Sequence, residues 1–199
     1  MATPKAENVA LFDMDGTLCD YDGALLGSLN RIRGPGEQVL DELNREDEPE
    51  YILERRKLIT GSKSWWANLP RFQLGWDVLG LARDLEYRIM VLTQGPRAVS
   101  EAWSGKKEWI DSHLGDVDVT ITRDKGLVYG KVLVDDFPEY MDRWLEHRPR
   151  GLGIMPAHRS NSGYLHPNVV RYDGSNLSEV KCALTKAIFR LPKEPLQMS

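Results

Sequence analysis

The chain has 199 residues, room for one α/β domain or a core with a small insert, and its formal net charge of −4 excludes a polycation that coats nucleic acid or anionic membrane, though not a local basic pocket for one phosphate. Cys19 and Cys182 lie too far apart to suggest a disulfide framework and read as reduced thiols. No apolar run approaches the roughly 20 residues of a membrane span, and polar Met1–Asn8 lacks signal-peptide character, so a soluble cytoplasmic protein is expected.

After a loose leader over residues 1–8, Val9-Ala10-Leu11-Phe12 reads as a buried strand. Ala24, Leu25, Leu26, Leu29 and Ile32, then Val39, Leu40 and Leu43, recur at helical spacing, interrupted by Gly34-Pro35-Gly36. An acidic turn at 46–50 precedes a helix over 51–59 with Arg55, Arg56 and Lys57 exposed, then the segment holding Trp65 and Trp66. Residues 18–75 thus form a helical insert between the first strand and a regular strand–helix alternation. In that alternation, helices are predicted over 76–85, 98–114 (closed by Gly115), 138–146 and 177–189. Strands are predicted at 88–92, 117–121, 132–134, 152–155 and 169–172. Strands alternating with helices predict an α/β, Rossmann-like fold: a mostly parallel sheet covered by helices on both faces.

In such a sheet, ligands bind beyond the carboxyl ends of the strands. The polar residues that follow each apolar run are therefore the candidates: Asp13 and Asp15, Thr93, Arg123 and Lys125, and Asp135 and Asp136. Taken alone, Asp13-Met14-Asp15-Gly16 is an ordinary strand-ending turn, Thr93 a turn residue and Lys125 a solvated loop lysine. Together they supply a nucleophile, an acid/base, a hydrogen-bond donor, a cation and metal ligands, the inventory of phosphoryl transfer. Two nearby carboxylates repel unless a cation lies between them, so a divalent ion such as Mg²⁺ is the natural occupant.

The string Phe12-Asp13-Met14-Asp15-Gly16-Thr17-Leu18 resembles the first motif of the haloacid dehalogenase-like hydrolases, and Thr93, Lys125 and Asp135-Asp136 resemble the later three in order. The resemblance implies a core of residues 1–17 and 76–199 with a small helical cap at 18–75. It implies that Asp13 attacks phosphorus to form an aspartyl-phosphate, while Asp15 protonates the leaving alcohol and then activates water. Thr93 and the amides after it, at Gln94 and Gly95, would hold phosphoryl oxygens, and Lys125 would offset negative charge. Mg²⁺ would be bound by the Asp13 carboxylate, the Asp15 carbonyl and Asp135, with Asp136 acting through water or by orienting Lys125.

A closer resemblance, to the 5′(3′)-deoxyribonucleotidase family, lies in Lys106-Lys107-Glu108-Trp109-Ile110-Asp111-Ser112-His113-Leu114-Gly115, in Thr122-Arg123-Asp124-Lys125, and in the acidic pair beyond. It implies phosphate binding by Lys106, whose plain reading is a helix-surface lysine, and a base site built from Tyr21, Trp65 and Trp66. Adjacent tryptophans do not share a helix face, so one is expected in the core and one at the pocket. The implied substrate is a small phosphomonoester, a 5′-(deoxy)ribonucleoside monophosphate, and related enzymes are often homodimers; no nucleic-acid polymer or membrane partner is implied. Thr93-Gln94-Gly95-Pro96 departs from the Thr-Ser-Pro of the mammalian nucleotidases, and the extra Gly should widen the phosphate loop. A phosphatase of another small monoester and a non-catalytic nucleotide-binding module are the competing readings. The four histidines show no metal-ligand spacing and are assigned no chemistry.

Overall fold

The structure, a computed structural model, describes residues 8–43 and 48–190; the leader up to residue 7 and residues 46 and 47 of the acidic turn lie outside the described residues. Strands β1 (Val9–Phe12), β2 (Arg88–Thr93), β3 (Asp118–Ile121), β4 (Val132–Val134), β5 (Leu152–Pro156) and β6 (Val169–Tyr172) form one six-stranded sheet in the order β3-β2-β1-β4-β5-β6. Every neighbouring pair is parallel. The helices are α1 (Tyr21–Arg31), α2 (Glu50–Thr60), α3 (Lys63–Ala67), α4 (Gln73–Asp84), α5 (Ser100–Leu114), α6 (Pro138–Glu146) and α7 (Leu177–Phe189).

Period-two alternation explains how β1 serves both faces. Ala10 and Phe12 pack with Val78 and Leu79 of α4, Trp109 and Ile110 of α5, and Val180 and Leu184 of α7. Val9 and Leu11 pack with Met141, Trp144 and Leu145 of α6. All four β1 residues are buried, so the strand reads as a continuous apolar run. Fully burying a side chain of this size contributes roughly 1.5–3 kcal/mol, which fixes the strand that carries the first acidic pair.

The chain adds β2 and β3 on one side of β1, then crosses to add β4, β5 and β6 on the other. The sheet therefore has its topological switch point between β1 and β4, where a crevice opens at the strands' carboxyl ends.

Between β1 and β2 the chain departs from the expectation in two places. Val39, Leu40 and Leu43 are not helical. Gly36 at φ +84° turns the chain out of helical geometry just before this stretch. The Asn30 side chain instead takes both backbone groups of Leu40, donating to its carbonyl and accepting from its N–H at 2.9 Å each. Leu40 and Leu43 still pack against Leu25, Leu29 and Ile52 of α1 and α2. Nor are Arg55 and Arg56 exposed: Arg55 pairs with Glu37 at 2.6 Å and Arg56 pairs with Glu48, leaving only Lys57 of the three in solvent. Both cysteines are free thiols, and among the described residues no helix is long and apolar enough to cross a membrane.

Candidate active site

Register brings the acids together. Phe12 pairs with Val134 across the switch point, so the next residues, Asp13 and Asp135, leave adjacent strands side by side. The Asp13 N–H donates to the Val134 carbonyl at 2.9 Å, extending the ladder one residue past β1. Gly16 then turns the chain at φ +72°, where a Cβ would lie 2.5 Å from Asp136 Oδ2. Only glycine tolerates both the left-handed backbone and that approach.

Two buried lysines organise the carboxylates. Lys125, in the turn after β3, places its Nζ 2.8 Å from Asp13 and 2.6 Å from Asp135, with the Tyr140 ring 4.6 Å away. Burial alone would pull its pKa down, but Asp13 and Asp135 outweigh that and hold it above the ordinary lysine range. Lys106, on α5, is 0 % exposed and reaches Asp15 at 2.5 Å, Thr93 Oγ1 at 3.1 Å and the Gln94 carbonyl at 2.8 Å. The helix-surface alternative for Lys106 is thereby excluded. Its Nζ also lies 4.9 Å from the centre of the Trp66 ring. Burial pushes the Asp15 carboxyl above its usual range; Lys106 pulls it back, and Asp13 adds to the rise.

Asp136 does not orient Lys125; its carboxylate accepts from the Thr17 hydroxyl at 3.3 Å. Carboxylate oxygens of Asp13, Asp135 and Asp136 all lie within 4.8 Å of one another. Burial raises the pKa of both Asp135 and Asp136, and for Asp136 the neighbouring Asp135 and Asp13 raise it further. Three acids against the single Lys125 ammonium leave an excess of negative charge. Opposite ligands of an octahedral Mg²⁺ stand about 4.2 Å apart, and hard carboxylate oxygens suit that ion, so the donor set fits one divalent cation. The Asp15 side chain stands apart from this cluster, engaged with Lys106.

The acids open into a cavity of about 380 Å³ lined by Asp13, Asp15, Gln94, Gly95, Arg123 and Lys125 from the sheet edge, and by Tyr21, Arg56 and Trp66 from the insert. Gln94 Oε1, in the amide orientation that satisfies its neighbours, accepts from Arg123 (2.9 Å from Nε), while its amide nitrogen donates to the Tyr140 hydroxyl. Arg123 also donates to the Gly95 carbonyl at 3.2 Å. Gly95 does not simply widen the loop: a Cβ there would lie 2.3 Å from Trp103 Nε1, so its lack of a side chain admits the indole.

The tryptophans divide differently from the expected core-and-pocket split. Trp66, only 2 % exposed, lines the cavity and stacks on Tyr21 with ring centres 5.4 Å apart. Its Nε1 is fixed on the Thr60 carbonyl at 2.7 Å. Trp65 is half-buried outside the cavity and donates to Ser28 Oγ at 3.1 Å. Sequence reasoning missed Tyr140, Phe137, Arg56, Thr60 and Asp22 in the lining. Phe137, just before α6, and Tyr140, in its first turn, follow the strand-ending Asp135-Asp136, a position that strand-end logic could have flagged. Arg56 sits on a charged helix face and carried no such signal.

A parallel sheet with its switch point at β1 and β4, and an Asp-x-Asp turn facing a lysine and a second acidic pair there, define a haloacid dehalogenase-like hydrolase. Over 92 % of its length the chain superposes, with a TM-score of 0.55 and 15 % identity, on 99 % of a "putative haloacid dehalogenase-like hydrolase" from Burkholderia xenovorans LB400. A HAD family hydrolase from Deinococcus radiodurans R1, solved with bound phosphate and sodium, superposes over 91 % of this chain and 96 % of its own with a TM-score of 0.51 and 11 % identity. Residues 7–162 match the profile of the family described as 5′ nucleotidase, deoxy (pyrimidine), cytosolic type C, and the chain belongs to that family. It is thus a phosphatase of the 5′-nucleotidase kind. A Bordetella pertussis protein named "Putative 5′(3′)-deoxyribonucleotidase" is 29 % identical over 141 residues, 64 % of this chain and 73 % of that protein.

Proposed function

We propose that the protein hydrolyses 5′-(deoxy)ribonucleoside monophosphates through an aspartyl-phosphate, with residues 18–75 as the cap that closes on the substrate. The observation that carries this reading is the pair of buried lysines in one cavity, Lys125 on Asp13 and Asp135, and Lys106 on Asp15 and Thr93. Lys125 fixes two carboxylates and Lys106 one, and both place positive charge where phosphoryl oxygens would gather.

In the first half-reaction an Asp13 carboxylate oxygen attacks phosphorus, and the leaving 5′-oxygen takes the proton held by Asp15. In the second, Asp15 takes a proton from water, the hydroxide attacks the same phosphorus, and the Asp13–phosphorus bond breaks to return the carboxylate and inorganic phosphate. Thr93 and Lys106 bind and orient the phosphoryl group, and Lys125, 2.8 Å from Asp13, aims its carboxylate. Asp13, Asp135 and Asp136, with the Asp15 carbonyl, would hold Mg²⁺, which when bound neutralises charge on the phosphoryl oxygens. The half-buried Tyr21 ring in the lining, backed by Trp66, favours a nucleotide over a sugar phosphate, since base–aromatic stacking contributes about 1–3 kcal/mol per base.

The test is a panel of deoxy- and ribonucleoside 5′-monophosphates against sugar phosphates, assayed for phosphate release with Mg²⁺ and with a chelator. Nucleotides are expected to give the higher kcat/KM, and the chelator to remove activity. Sugar phosphates turned over faster than every nucleotide would shift the substrate to another small phosphomonoester. Release undiminished by chelation would remove the metal.

The proton on Asp15 supplies a further check. Asp15 must be protonated to serve the leaving group, so activity falls as pH rises through its pKa. Lys106 lowers that pKa, so Lys106→Met is expected to raise it and to move the alkaline limb of kcat/KM to higher pH. A limb that stays in place or moves down would mean that Asp15 is not the titrating acid.

A further inference from the structure

Outside the catalytic cluster, His158, two residues beyond β5, touches both strands that join the 18–75 insert to the core. We propose that His158 is a positioning residue that pins the turn after Asp15 and couples it to the insert; this rests on Asp15 being the acid/base.

His158 Nε2 lies 2.6 Å from the Gly16 carbonyl. A carbonyl oxygen can only accept, so Nε2 carries the proton and donates. The same imidazole stacks on Phe72, ring centres 4.6 Å apart and planes 20° apart. Gly16 leads out of the core and Phe72 leads back into it. The two connecting strands are themselves paired: Asp20 N–H donates to the Pro70 carbonyl at 2.8 Å, and Phe72 N–H to the Leu18 carbonyl at 3.0 Å. An antiparallel bridge between Cys19 and Arg71 lies between those bonds. One ring therefore holds the outgoing strand by a hydrogen bond and the returning strand by its face.

The His158 main chain is anchored to the sheet. Its backbone N–H donates to Asn161 Oδ1 at 3.0 Å, and its carbonyl accepts from Arg171 of β6 at 3.1 Å. Arg171 also donates to Asn161 Oδ1 at 3.0 Å. Asn161, 1 % exposed, donates to the carbonyls of Asp136 and Pro156 at 2.9 Å each. Gly16 thus lies against the Asp136 carboxylate, which leaves no room for a Cβ, while its carbonyl is bonded to His158. Movement of Gly16 moves the adjacent Asp15, whereas Lys106 keeps its bonds to Thr93 Oγ1 and the Gln94 carbonyl. Losing the His158 donor should therefore lower kcat and leave KM nearly unchanged.

His158→Phe keeps a ring to stack on Phe72 and removes the donor; His158→Gln keeps a donor and removes the ring. Steady-state kinetics on a nucleoside monophosphate with Mg²⁺ are expected to give about a tenfold lower kcat for His158→Phe, the value of one hydrogen bond, with KM within about twofold and most of kcat recovered in His158→Gln. Hydrogen exchange, which needs no turnover, is expected to speed up in His158→Phe in both peptides spanning 14–20 and 68–73, with no comparable loss of melting temperature. Wild-type kcat in His158→Phe, or kcat equally impaired in both variants, overturns the proposal. So does unchanged exchange in the two peptides. Should His158→Phe not fold, Phe72→Leu must raise exchange in the same two segments, and its failure to do so is equally decisive. Wild-type protein that releases no phosphate from any monoester sinks the function reading instead, while exchange still decides whether His158 ties the two strands.

Discussion

Asp13→Asn is expected to abolish phosphate release, by at least about 10⁴-fold, the scale on which nucleophile removal acts in enzymes with covalent intermediates. The amide has the shape of the carboxylate but no anionic oxygen with which to attack phosphorus. Its carbonyl can still accept from Lys125, which lies 2.8 Å from Asp13 Oδ1. The variant also removes one negative charge from a cluster of three acids, two of them buried. The fold should survive, with a melting temperature at or above that of the wild type. Single-turnover assays beside a thermal melt separate the two quantities. A variant that folds and turns over within tenfold of the wild type would place the nucleophile elsewhere.

Lys125→Met should damage both activity and stability. The substitution leaves the Asp13 and Asp135 carboxylates buried without the ammonium they share at 2.8 and 2.6 Å. Breaking a buried pair by removing one partner costs about 3–5 kcal/mol, a large part of the roughly 5–15 kcal/mol of a typical domain. The sign of its pH dependence follows from the acids. Burial holds Asp135 above its ordinary range, and Lys125 lowers it. Without the lysine its folded pKa rises further above the unfolded value. The native state then binds more protons than the unfolded chain between those two values, so stability falls as pH rises. The melting deficit should accordingly shrink toward acid pH, and Mg²⁺ should recover part of it at neutral pH. Equal melting of variant and wild type at neutral pH without metal would show that the lysine contributes nothing to stability.

The core was legible where pattern and physics coincide. β1, β4 and β6 are short apolar runs bounded by polar turns, and α6, with Pro138 at its start, has a strongly two-sided pattern; each forms at the expected residues. The spacing at Val39, Leu40 and Leu43 misled, because three apolar residues satisfy helical spacing by chance, and the Asn30 side chain takes the Leu40 backbone groups a helix would need. Arg56 was read as solvated because its neighbours on α2 are charged. A partner from a different segment, Glu48, turned it inward.

Within the site, the sequence by itself marked which residues end which strands. A parallel sheet has one active edge, and that was enough to gather Asp13, Thr93, Lys125 and Asp135 in advance. What it left open was direction. Lys106 could have faced water, and only the packing of α5 beside β2 sends its ammonium to Asp15 and Thr93. Either tryptophan could have faced the cavity; the pairing of the Trp66 indole with the Thr60 carbonyl and the Tyr21 ring decided it. Tyr140 and His158 act on residues 46 and 142 positions away in the chain, beyond the reach of local spacing. Periodicity reports which face of an element is apolar, because burial repeats with the backbone. The partner a polar side chain finds depends on how separate elements meet, and that is a property of the folded molecule alone.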